Sequence, residues 1–302
     1  MQPARPQPLS RRSVLLGGAS AALLAACGSE KKHVAAVSPT STRPADTTKY
    51  SLVTFTDAAN SVEAGSPQRL TFGLGDEQGA LVENGPERLA FDILIGNKMI
   101  THVDSALHRK GLSRGYYPVT FRPPTPGFYT ARARIAGRAV EASFQVVRRI
   151  AIPRPGQPMV VADTPTVTDH RMVSPICTRT PACPLHEINL REALRASKPV
   201  ALLIATPAYC QTAICGPVLD VLLSQQRTFG DQIQMIHAEV YADGKAAAAD
   251  ISNAKLALVL ETFRLTFEPV LFLIRSDRVL ARRLDTIFDE VELRAALRSV
   301  VA

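Results

Sequence analysis

The chain has 302 residues, 46% of them apolar, with a formal net charge of +8 and no tryptophan. That length accommodates two domains of ordinary size. The positive charges are scattered, no Lys/Arg run is interleaved with aromatics and no zinc-finger spacing occurs, which argues against a nucleic-acid partner.

The first segment reads as a targeting signal. Arg5, Arg11 and Arg12 precede Cys27 without any acid. Ser10-Arg11-Arg12-Ser13-Val14-Leu15 resembles a twin-arginine export motif, and the apolar run 14–26 has about half the length a membrane-spanning helix needs. Leu24-Ala25-Ala26-Cys27 resembles a bacterial lipobox. It implies a signal peptide over 1–26, a lipid-anchored Cys27 and a position on the extracytoplasmic face of the cell membrane. Residues 27–49, rich in Ser, Thr, Pro, Ala and Lys without periodicity, read as a disordered tether.

Residues 50–147 carry short alternating segments separated by Gly, Pro and Asn: 51–55, 68–74, 89–95, 98–103, 117–122, 127–135 and 138–147. Seven strands at this spacing predict an all-β, immunoglobulin-like sandwich, with a hairpin turn at Ala136-Gly137-Arg138. The region resembles immunoglobulin-like modules of exported bacterial proteins, some of which bind copper. His102, His108 and Met99 do not form a Met/His cluster, so both histidines read as solvated or locally hydrogen-bonded.

The connector 148–188 is Pro-rich and then holds Cys177 and Cys183 between prolines, with His186 and Glu187 just after. Three arrangements suit these residues. A disulfide closing a small loop is the expected one, because an exported chain meets oxidising conditions. A metal site from Cys177, Cys183 and His186 lacks a fourth ligand nearby and matches no zinc pattern. In the third, the segment folds over Cys210 and Cys215 and exchanges disulfides with them. Sequence proximity favours Cys177–Cys183 and Cys210–Cys215 among the three pairings open to four cysteines.

From 189 to 302 the pattern is α/β. Asn189 caps a helix through Ala196; the apolar run 199–205 suits a strand buried on both faces. A helix over 210–228, a strand over 232–241, a helix over 251–264, a hairpin of 269–274 with 279–284 and a closing helix over 289–301 follow. Cys210 thus stands where a buried strand hands over to a helix, where free N–H groups lower a thiol's pKa. His237, between Ile236 and Ala238, reads as a structural histidine; its alternative is a metal ligand acting with Cys210 and Cys215.

These residues resemble the thioredoxin fold: a strand, then Cys210, Pro217 early in the helix, and Phe267-Glu268-Pro269-Val270 ahead of a strand. The spacing is C-x-x-x-x-C where the family has C-x-x-C, and Tyr209 replaces the usual tryptophan. Some peroxiredoxins share the spacing, but Pro207 stands where they carry a hydroxyl. On a regular helix, positions five apart lie roughly 8 to 9 Å apart, beyond the ~7 Å a disulfide tolerates. Bonding Cys210 to Cys215 therefore requires Cys210 outside the helix or an unwound first turn, which Pro217 would loosen.

The resemblance implies an envelope thiol–disulfide oxidoreductase with Cys210 attacking, Cys215 resolving and a cis Pro269 lining the substrate groove. Its partners would be exported protein thiols or disulfides, with no metal and no cofactor. The other readings are a non-catalytic interaction module with structural disulfides and a copper-handling envelope protein.

Overall fold

Period-two alternation marks the strands between Ser51 and Val146. The computed structural model describes residues 49–56, 61–210 and 213–301. The expected signal peptide, Cys27 and most of the tether lie outside these residues.

All seven expected strands form: β1 (Ser51–Thr54), β2 (Gln68–Gly75), β3 (Arg88–Ile95), β4 (Lys98–Ala106), β5 (Tyr117–Phe121), β6 (Gly127–Ile135) and β7 (Arg138–Val146). They pair antiparallel in two sheets, β1-β2-β5 and β4-β3-β6-β7. In β6, Tyr129, Ala131, Ala133 and Ile135 are buried while the residues between them stay more accessible. Ala136 and Gly137 both take positive φ, as the tight β6–β7 hairpin turn requires. The facing sheets close over Leu70, Phe72, Phe91, Tyr129 and Phe144, with the Phe72 and Phe91 rings stacked at 5.3 Å. Tyr129 donates its hydroxyl proton to Thr125 O at 2.7 Å, pinning the corner that leads into β6.

The second part is built on a four-stranded sheet, β11-β10-β8-β9, from β8 (Val200–Ile204), β9 (Gln234–Ala238), β10 (Val270–Ile274) and β11 (Leu280–Asp285). β8 and β9 are parallel, whereas β10 runs antiparallel to both β8 and β11. Every residue of β8 and β10 is buried, because helices cover both faces. Ala201, Leu203, Leu271 and Leu273 point to α2 (Cys215–Phe229) and α5 (Glu290–Val301). Val200, Leu202, Ile204 and Phe272 point the other way, to α1 (Leu190–Ala193) and α4 (Leu258–Phe263). No helix among the described residues is long and apolar enough to cross a membrane.

Three expected helices change: α1 stops at Ala193 instead of reaching Ala196. The one expected over 210–228 begins at Cys215. The one expected over 251–264 shrinks to α4, and an unexpected α3 (Gly244–Ala249) precedes it. Asp243 starts α3 early by accepting from Lys245 N and Ala246 N; the Asp250 carboxylate then takes Ser252 N, and the chain turns. Asn189 caps α1 as expected, accepting from Glu192 N at 3.0 Å.

The connector packs as part of the body. Ile150, Ile152, Met159, Ala162 and Val173 are buried in the core on the α1/α4 side of the sheet. The sandwich and the α/β part belong to one compact unit. Arg69 of β2 forms a two-pronged ion pair with Glu292 at 2.5 and 2.7 Å, and donates to Asp285 O and Ile287 O. Burial works against its charge, and Glu292 more than compensates, holding the guanidinium above its ordinary pKa. Tyr116 donates to Glu292 and accepts from Asp289 N, and Asp289 meets His108 at 3.0 Å. A cleft of about 660 Å³ opens beside this junction, lined among others by Glu63, Arg154, Arg283 and Asp285. None of the cysteines lines it.

Candidate functional site

The loop after β8 carries Cys210, half-buried, and Cys215, fully buried, joined as a disulfide with S–S 2.33 Å and Cα–Cα 5.9 Å. The chain meets the distance requirement by holding Cys210 ahead of the helix. Ala213 takes a positive φ of 55° and donates its N–H to Cys210 O at 3.1 Å. The helix N-terminus therefore belongs to Cys215, which corrects the expectation that it would serve Cys210. Pro217 is the third residue of α2, inside the first turn, where the N–H it lacks has no intrahelical partner to lose.

Cys215 Sγ lies 3.3 Å from Glu268 Oε2, and the same oxygen accepts from Thr206 N at 2.5 Å. Burial pushes the Glu268 carboxyl up to about 7; the Thr206 N–H opposes the rise and the charge of Glu239 adds to it. Glu239 is likewise pushed up to about 7 by burial, against hydrogen bonds from Thr178 N at 2.6 Å and Thr178 Oγ1 at 3.0 Å. The Glu268–Pro269 bond is cis, as the resemblance implies. Pro269 leads into β10, whose first residue, Val270, pairs with Ile204 at the end of β8. Both carboxylates were missed in the sequence. Their signal was there: each is a lone acid in an apolar run, HAEVY and FEPVLF.

Cys177 and Cys183 are free thiols, against the expected disulfide. Two imidazoles converge on them. Cys183 Sγ is 3.2 Å from His186 Nε2 and 3.4 Å from His237 Nδ1, and Cys177 Sγ is 3.8 Å from the same Nδ1. Cys177 Sγ also accepts from Cys183 N at 3.4 Å. The hydrogen bond from Cys183 lowers the Cys177 thiol against its burial. Cys183, at the other end of that bond and buried, is raised. His237 arrives from β9, 54 residues beyond Cys183, so local spacing could not supply it as the missing fourth ligand. The expectation of no metal here rested on that absence. His102 is hydrogen-bonded locally to Asp92, whereas His108 reaches Asp289, 181 residues along the chain, against the local reading.

Neither a protein-family model nor a curated protein matches the chain. Among solved structures, an engineered protein is similar at 14% identity and TM-score 0.24, over 32% of this chain and only 20% of that one. The C-terminal domain of a Bacteroides thetaiotaomicron protein described as a thiol-disulfide oxidoreductase is similar at 11% identity and TM-score 0.33, over 49% of this chain and 96% of that one. A superoxide reductase (neelaredoxin) from Ignicoccus hospitalis is similar at 14% identity and TM-score 0.22, over 33% of this chain and 81% of that one. Likenesses at this level assign neither fold nor function, and the chemistry has to be argued from the residues.

Proposed function

We propose that the chain is a thiol–disulfide oxidoreductase of the cell envelope, a thioredoxin-like part joined to an immunoglobulin-like sandwich and anchored through lipid at Cys27. The sheet order β11-β10-β8-β9, with its parallel β8/β9 pair, and a dithiol between β8 and α2 support the thioredoxin-like reading. The three-plus-four sheets and the Tyr129 corner support the immunoglobulin-like one. The anchor rests on Leu24-Ala25-Ala26-Cys27 alone.

The carrying observation is a disulfide whose buried sulfur, Cys215 Sγ, sits 3.3 Å from a carboxyl poised near neutrality. In the oxidised form a substrate thiolate attacks the more accessible Cys210 Sγ, and Cys215 leaves with a proton from Glu268. A second substrate thiolate then displaces Cys210, completing the substrate disulfide. In the opposite direction Cys210 attacks a substrate disulfide, and Cys215, losing its proton to Glu268, resolves the mixed disulfide. Pro269 borders the groove in which the substrate chain lies.

The test is exchange between the purified full chain and a peptide carrying a glutathione mixed disulfide. Cys210→Ser abolishes exchange, and Cys215→Ser accumulates a covalent mixed disulfide. Absence of exchange by the unsubstituted chain, with Cys210 titrating near the ordinary thiol value of about 8.5, would leave a non-catalytic interaction module.

A further inference from the structure

Cys177, Cys183 and His186 of the connector and His237 of β9 are 6%, 5%, 2% and 0% exposed. Their ligand atoms all lie within 4.8 Å of one another. A tetrahedral zinc with Zn–S near 2.3 Å and Zn–N near 2.0 Å has S–N edges of roughly 3.5 Å and an S–S edge of roughly 3.8 Å. The observed S–N edges of 3.2, 3.4 and 3.8 Å bracket that figure.

The hydrogen bonds around the cluster point the same way. His237 Nε2 donates to Ala205 O at 2.9 Å, so Nδ1 carries the lone pair and faces both sulfurs. A backbone carbonyl holding the far nitrogen is the usual support of a metal-bound imidazole. His186 turns Nε2 onto Cys183 Sγ, and its buried Nδ1 has no hydrogen-bond partner among the described residues.

We propose that these four residues form a closed, structural zinc site. Charge selects the ion: a divalent cation neutralises two buried thiolates, whereas a monovalent one such as Cu(I) leaves net negative charge in an apolar core beside Glu239. Two thiols and two imidazoles fill a tetrahedron, leaving no position for water or substrate, so the ion cross-links rather than catalyses. It ties the connector to β9. Through Thr178, whose N–H bonds Glu239 and whose Oγ1 accepts from Ala208 N, it also steadies the loop that carries Cys210.

The experiment is elemental analysis of the full chain purified without chelator, followed by replacement of the metal with Co²⁺ and absorption spectroscopy. About one zinc per chain is expected, with thiolate-to-cobalt charge-transfer bands and the intense d–d bands of a tetrahedral site. The combined variant Cys177→Ser and His237→Gln loses the metal, while Cys210→Ser with Cys215→Ser retains it, which separates this site from the proposed redox activity. Should the first variant fail to fold, the cobalt spectrum of the unsubstituted chain decides alone. The proposal is overturned by a chain that binds neither zinc nor cobalt, by copper in place of zinc in the purified protein, by metal retained in the first variant, or by a native Cys177–Cys183 disulfide on peptide mapping.

Discussion

Glu268 is the residue on which the proposed chemistry turns. Thr206, Cys215, Glu239 and Tyr241 surround its carboxyl, and none of them is a cation. With a pKa of about 7 it accepts a proton best above neutrality, so resolution of a mixed disulfide by Cys215 should accelerate as pH rises through about 7. In Glu268→Gln that step should slow by about 10²-fold at neutral pH, and its inflection should move towards the ordinary thiol range. Rapid-quench alkylation across the pH range reads both; an unchanged profile would remove Glu268 from the proton path. Stability gives an independent check. The folded pKa lies above the ordinary 4.5, so this group's stabilisation is complete below pH 4.5 and is lost as pH rises to about 7. Thermal melts of Glu268→Gln should lack that part of the decline. The cysteines were legible because spacing and flanking pattern mark them. Glu268 and His237 were not, because their roles depend on which strands the fold sets side by side.

At the scale of elements, apolar period identified nearly all the strands, since β8 and β10 are buried on both faces and β6 on one. The errors fell where side chains compete with the helical backbone. Asp243 binds the N–H groups of Lys245 and Ala246 and starts a helix where none was expected, and Asp250 takes Ser252 N and turns the chain where the expected helix would begin. Asp243→Ala should therefore cost about 1 kcal/mol, the ordinary value of a lost N-cap, measured by urea denaturation. A neutral result would show that contacts with Ser174, through the Ser174–Asp243 bridge, hold α3 without the cap. The start of α2 was misjudged for a different reason. The disulfide needs its two Cα atoms 5.9 Å apart, which a continuous helix from Cys210 forbids.

For the whole molecule, seven strands followed by an α/β pattern were readable, but their union was not. Arg69, in a strand whose alternation suggests an outward residue, is only 12% exposed because Glu292, Asp285 and Ile287 of the other part close over it. Arg69→Met should destabilise by about 3 kcal/mol or more, since it strands the Glu292 carboxylate and two carbonyls. Unfolding followed by tyrosine fluorescence and by far-ultraviolet dichroism should then cease to coincide. A loss below about 1 kcal/mol would mean that the junction holds by apolar packing. The burial of Cys177 and Cys183 also limits the molecule's electron capacity. An external thiol can reach the Cys210–Cys215 bond but not a pair 6% and 5% exposed. In the proposed exchange four sulfurs therefore carry one pair of electrons. On that proposal each encounter would make or break a single substrate bond, after which the molecule would have to be recharged by another partner before acting again.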